Sequence, residues 1–118
     1  MLDKGEDVNT TVEDETAFTP LMVAIKHGQV HTVEFLINQC NANIVNENGS
    51  GFTAIHIAAE RNLPEIIRMI VAKGESVDRK MRGSHLTPLH LAVGTRAISS
   101  IIALLALGAN PHARSLPF

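Results

Sequence analysis

Six histidines and a single cysteine carry most of the chemistry available to this 118-residue chain. His27 and His31 are four apart, a spacing at which two imidazoles on one continuous helix can share a zinc ion. Gly28 lies between them and breaks such a helix, and no third histidine or cysteine is close in sequence. Cys40 would need an ordered base and oxyanion donors to act as a nucleophile; it falls in a predicted loop without them and reads as a plain free thiol. Gly49-Ser50-Gly51 lacks the lysine and preceding strand of a phosphate loop, and Glu13-Asp14-Glu15 lacks the ligand spacing of a calcium loop. His56 and His90 each follow a threonine by three residues. There an imidazole is expected to bond the threonine hydroxyl and nearby loop backbone, serving stability more than binding. These patterns predict no catalytic residue, no cofactor and no metal, and therefore no enzyme.

The elements that position these residues recur. Thr19-Pro20-Leu21 returns as Thr53-Ala54-Ile55-His56 and as Thr87-Pro88-Leu89-His90, with the threonines 34 residues apart. A fixed period of this size marks a stacked repeat protein. Thr19, Thr53 and Thr87 are suited to cap helices, and Pro20 and Pro88 suit a first helical position. Apolar residues at helical spacing then predict helices over 19–27 and 30–38, 53–61 and 64–72, and 87–94 and 97–106, with no extended sheet. Gly28 and Asn62 fit the left-handed turn inside the first two pairs. Arg96 occupies that place in the third, at a cost of about 1–2 kcal/mol, so the turn is expected to shift to Gly94. Polar, glycine-bearing stretches between the pairs read as hairpin turns.

These residues resemble the T-P-L-H-x-A motif of the ankyrin repeat, and the resemblance covers nearly the whole chain. It implies an all-α solenoid of stacked helix-turn-helix units with hairpin-like fingers. The chain then divides into the end of a preceding repeat (1–14), three repeats (15–47, 48–81 and 82–114) and the start of a further segment (115–118). Each interval is one residue longer than the usual ~33. The extra residues are expected near Cys40-Asn41 and between Asp78 and Thr87. Ile102 and Leu107 stand where a terminal repeat is usually polar, which suggests a fragment of a larger protein or end-to-end packing through the C-terminal repeat.

A net charge of −2 is too small to draw the chain onto nucleic acid or an anionic membrane. No apolar run approaches a membrane span. One cysteine and no signal-like start favour the cytoplasm or nucleus.

The resemblance also implies a scaffold that binds another protein or peptide in a concave groove between fingers and inner helices. Phe18, Phe52 and Leu86, each just before a capping threonine, map there. So do Lys26, His27, Glu60, Arg61 and Thr95 at the inner-helix ends, and Thr16, Ser50 and Ser84 at the fingertips. The apolar three either form a ladder facing a partner or fold back onto their own fingers. The alternatives to a plain binding module are a regulatory or substrate-recruiting segment of a larger enzyme, such as a palmitoyltransferase, kinase or ligase, and a stand-alone inhibitor of a kinase or transcription factor.

Overall fold

A computed structural model describes residues 18–115. Thr16 and the partial repeat expected over 1–14 lie outside the described residues, as do residues 116–118. Six helices follow in order: α1 (Pro20–Lys26), α2 (Val30–Asn38), α3 (Ala54–Glu60), α4 (Pro64–Ala72), α5 (Pro88–Gly94) and α6 (Ile98–Ala106). No strand occurs among the described residues. Each helix pair forms one unit, and the units stack with α1, α3 and α5 in an inner layer and α2, α4 and α6 in an outer one.

The local causes are visible at each start. Thr19, Thr53 and Thr87 have extended backbone just ahead of the inner helices. Thr19 Oγ1 accepts from the Met22 amide at 3.2 Å, and Thr87 Oγ1 from the His90 amide at 3.3 Å. Each satisfies an amide that the first helical turn leaves without an intrahelical partner. Proline opens α1, α4 and α5, where its missing N–H is not needed.

The turn within every unit is the same. Gly28, Asn62 and Arg96 take φ of 67°, 59° and 57°. Gln29, Leu63 and Ala97 then donate to the carbonyls of Ala24, Ala58 and Ala92 at 3.0, 2.9 and 2.8 Å. The expected shift of the third turn to Gly94 is therefore incorrect: Gly94 remains the last residue of α5 and Arg96 bears the strain. Ala97 is buried at the start of α6, and only a left-handed residue just before it brings it there. The exposed Arg96 side chain is free to turn into solvent.

The core is aliphatic. Ile25, Ile55, Ile66, Ile67, Ile70 and Leu104 are fully buried, and each such side chain contributes about 1.5–3 kcal/mol. Ala58, Ala59 and Ala92 are equally buried, and their small side chains let the inner helices approach closely. The two additional residues of the repeat are also located. The Ala42 amide reaches back to Leu36, six residues, whereas Glu75 and Ala109 reach five, to Ile70 and Leu104. The added residue lies at Cys40-Asn41, and Asn41 takes φ 53° to accommodate it. The fingers differ likewise: one closes from Asn48 to Phe52 and the next from Met81 to Leu86, one residue longer.

Arg96→Gly is expected to stabilise the fold by about 0.5–1 kcal/mol. Relief of a left-handed L-residue outweighs the greater freedom of glycine in the unfolded chain. The check is a higher urea midpoint with unchanged slope.

Candidate functional site

Behind the candidate site lies a bridge built on His56, which has no exposed surface. Its Nδ1 accepts the Thr53 amide at 3.2 Å and lies 2.9 Å from Thr53 Oγ1. In the neutral ring the proton therefore sits on Nε2. That N–H reaches the Arg79 carbonyl at 2.7 Å and the Leu86 carbonyl at 3.2 Å, both in the segment leading to the next unit. The segment is pinned a second time. Glu75, whose side chain is fully buried, accepts from Arg79 Nε at 3.0 Å and Nη2 at 2.8 Å. Burial holds the His56 imidazole below its ordinary range, opposed by its bonds to the Arg79 and Leu86 carbonyls and by the Glu75 carboxylate. In the first unit Met22 fills the equivalent place and is buried as a packing residue.

In front of the bridge, one finger and two inner helices border an open hollow of about 270 Å³. Phe18 and Phe52 supply its apolar walls together with Ile57. Lys26, Glu60 and Arg61 supply charge, and Asn48 and Ser50 the finger side. Lys26 Nζ sits 5.2 Å from the centre of the Phe18 ring, a cation–π contact. Phe52 meets His56 edge to face, with centroids 6.3 Å apart. Both phenylalanines are half-buried and packed on the core. Each ring thus packs against the core and also borders the hollow.

The remaining predicted residues are spread around this centre. Leu86 is half-buried and does not line the hollow. Ser84 lies in the longer finger, where its Oγ accepts from the Leu86 amide at 3.3 Å. His27 and Thr95 cap the C-terminal ends of α1 and α5 and are exposed. Two lining residues, Asn48 and Ile57, were not foreseen. Asn48 Oδ1 accepts the Ser50 and Phe52 amides at 2.9 and 3.1 Å, which shapes the finger. The Asn-x-Ser-Gly turn chemistry of the sequence was the signal for it. The Glu75–Arg79 pair also went unforeseen; it lies in the segment after α4, outside any helix, where four-residue spacing gives no signal.

Helix pairs stacked at a constant interval, with fingers along one edge, define a helical repeat solenoid. The chain belongs to the ankyrin-repeat family: a family model for ankyrin repeats (three copies) matches residues 1–81 and 40–115. It is 28% identical over 103 residues to the palmitoyltransferase Hip14 of Drosophila melanogaster, covering 87% of this chain and 16% of that protein. It is 27% identical over 89 residues to M-phase phosphoprotein 8 of Homo sapiens, covering 75% of this chain and 10% of that protein. Alpha-latrocrustotoxin-Lt1a of Latrodectus tredecimguttatus is 28% identical over 92 residues, or 78% of this chain and 6% of the toxin. The chain thus spans less than a fifth of the length of these curated relatives. Ankyrin repeats generally mediate protein–protein interaction and are generally non-catalytic. No helix among the described residues is long and apolar enough to cross a membrane.

His56 yields a pH prediction. Its folded-state value lies below its ordinary 6.5, so between the two the unfolded chain binds the extra proton and stability rises with pH. The contribution is complete above 6.5 and declines as pH falls below it towards the folded value. Urea midpoints at pH 5 and 7.5 should differ more in the wild type than in His56→Asn. His56→Ala should also cost about 2–3 kcal/mol, because it leaves buried carbonyls and an amide without partners.

Proposed function

We propose that this chain is a protein-binding module that receives an extended or helical segment of a partner protein across its finger bases and inner-helix ends. The observation that carries this reading is the hollow between Phe18 and Phe52, rimmed by Lys26, Glu60 and Arg61. It offers an apolar socket with charges of both signs beside it. Truncating a buried anchor in such a socket often costs about 2 kcal/mol or more. An apolar side chain of the partner would enter between the rings, and flanking acidic and basic groups would meet Arg61 and Glu60. His27, Thr95, Ser84 and Leu86 complete the proposed contact surface; Thr16, also expected to contribute, lies outside the described residues.

The mixed-sign rim and the net charge of −2 favour a protein over a nucleic acid. In this reading the module works in the cytoplasm or nucleus and has no catalytic activity of its own. A second reading, a recruiting or regulatory segment of a larger enzyme, draws support from the similarity to part of the palmitoyltransferase Hip14. The two are compatible, since recruitment would use the same groove.

The test must separate binding from folding. Phe52 rests on His56, so Phe52→Ser is expected to lower stability as well as affinity. The exposed Ser50 and Arg68 serve better. A photo-crosslinking residue at Ser50, beside the hollow, should capture the partner, and one at Arg68 on the outer layer should not. Exchange of charge by Glu60→Arg with Arg61→Glu should weaken capture by at least ~10-fold while leaving the melting temperature within a few degrees, as exposed substitutions generally do. Capture at Arg68 alone would move the binding face to the outer helices.

A further inference from the structure

Of the chain's asparagines, only Asn48 is followed by glycine. In such a pair the main-chain nitrogen of the glycine can attack the side-chain amide carbon of the asparagine. No β-carbon screens that nitrogen, and the glycine backbone turns freely. The new N–Cγ bond expels Nδ2 as ammonia, which carries off the proton of the attacking amide, and leaves a cyclic succinimide. Water then opens the ring. Cleavage at the side-chain carbonyl gives aspartate. Cleavage at the main-chain carbonyl gives isoaspartate, in which the main chain runs through Cβ and is one carbon longer.

The first finger holds both reacting groups in place. Asn48 is 6% exposed, although Gly49 and Ser50 beside it are exposed. Its Oδ1 accepts the Ser50 amide at 2.9 Å and the Phe52 amide at 3.1 Å. Both partners are N–H donors, so the oxygen and not Nδ2 faces them. The peptide that contains the attacking nitrogen is tethered too, because the Asn48 carbonyl accepts the Gly51 amide at 3.0 Å. The Asn48 amide donates to the Phe52 carbonyl at 2.9 Å, and the return bond from the Phe52 amide ends on the asparagine side chain. For the nitrogen to reach Cγ, the side chain and the 48–49 peptide must turn towards each other, and these bonds oppose that turn. The next finger, closed between Met81 and Leu86, uses the Ser84 hydroxyl to accept the Leu86 amide and has no asparagine.

We propose that Asn48-Gly49 is a self-modification site: the closed finger withholds a reactive pair, and each local opening releases it to succinimide and isoaspartate. The isoaspartyl finger does not close as before. Its added main-chain carbon moves the carboxylate and the neighbouring carbonyl out of register with the Ser50, Gly51 and Phe52 amides. Plain aspartate, by contrast, still presents an oxygen to the Ser50 and Phe52 amides. Isoaspartate therefore loosens Phe52, a wall of the hollow. The inference stands on the finger alone and is independent of what the hollow binds.

The 118-residue chain is held at pH 7.5, in buffer and in parallel in urea that unfolds it. Peptide mapping by mass spectrometry reads the exchange of NH for O at each asparagine. A protein isoaspartyl methyltransferase with S-adenosylmethionine labels the isoaspartate. In urea Asn48 should convert faster than any other asparagine, with isoaspartate exceeding aspartate. In buffer it should convert at least ~10-fold more slowly, since only the locally open fraction reacts. Ser50→Pro, checked by circular dichroism to be folded, removes one amide from Oδ1 and should narrow that ratio. Gly49→Ala should suppress conversion in both solutions. The isolated isoaspartyl chain should melt below the wild type, and Asn48→Asp close to it. Conversion as fast in buffer as in urea, or a folded Ser50→Pro with an unchanged ratio, would overturn the gating. Conversion in urea no faster at Asn48 than elsewhere would remove the site, and an isoaspartyl chain that melts like the wild type would remove its effect on the finger.

Discussion

The hydrogen bond from His56 Nε2 to the Arg79 carbonyl is the contact on which the rest of the arrangement depends. Side-chain packing alone would hold two helix pairs together but would fix the finger between them only loosely. The imidazole links three parts of the chain: the threonine ahead of its own helix, the helix itself, and the two arms of the following finger at Arg79 and Leu86. Because Nδ1 must accept and Nε2 must donate, the ring works only when neutral, and its burial favours that state. The Glu75–Arg79 pair then fixes the same finger from the other side. Phe52 leans on the back of this bridge, so the wall of the hollow inherits its position from a residue with no exposed surface.

Much of this was legible in the sequence because it is set by local chemistry repeated at a constant interval. Threonine caps, prolines at first helical positions and aliphatic spacing fix the helices within a residue or two. Even the two added residues could be placed, since the flanking motifs bracket them. Arg96 was misread because the strain of one residue was weighed alone. Its left-handed backbone is imposed by the burial of Ala97 and by a hydrogen bond from that residue to Ala92. Tertiary packing outweighed a local preference of about 1–2 kcal/mol.

The candidate site was legible as a set of positions, less so as a shape. Repeat alignment brings Phe18, Phe52, Lys26, Glu60 and Arg61 to one hollow. It also groups Leu86 with the phenylalanines, although Leu86 lies beyond that hollow. The hollow lies between the first two units, and Leu86 precedes the inner helix of the third. Asn48 and Glu75 are themselves buried and act through hydrogen bonds to partly exposed partners, and sequence spacing does not report which polar groups will be enclosed.

The side-chain hydrogen bonds described between units reach no more than 38 residues along the chain, as from Ser100 to Asn62. This short reach has a consequence for synthesis. A growing chain never has to wait for a distant partner: once about one further unit has left the ribosome, the unit before it has every contact it will make on that side. The protein can thus assemble vectorially, from the N-terminal end, as translation proceeds. The loop-closure cost is met in small, equal steps, and at each moment the newest apolar face is the one exposed to chaperones.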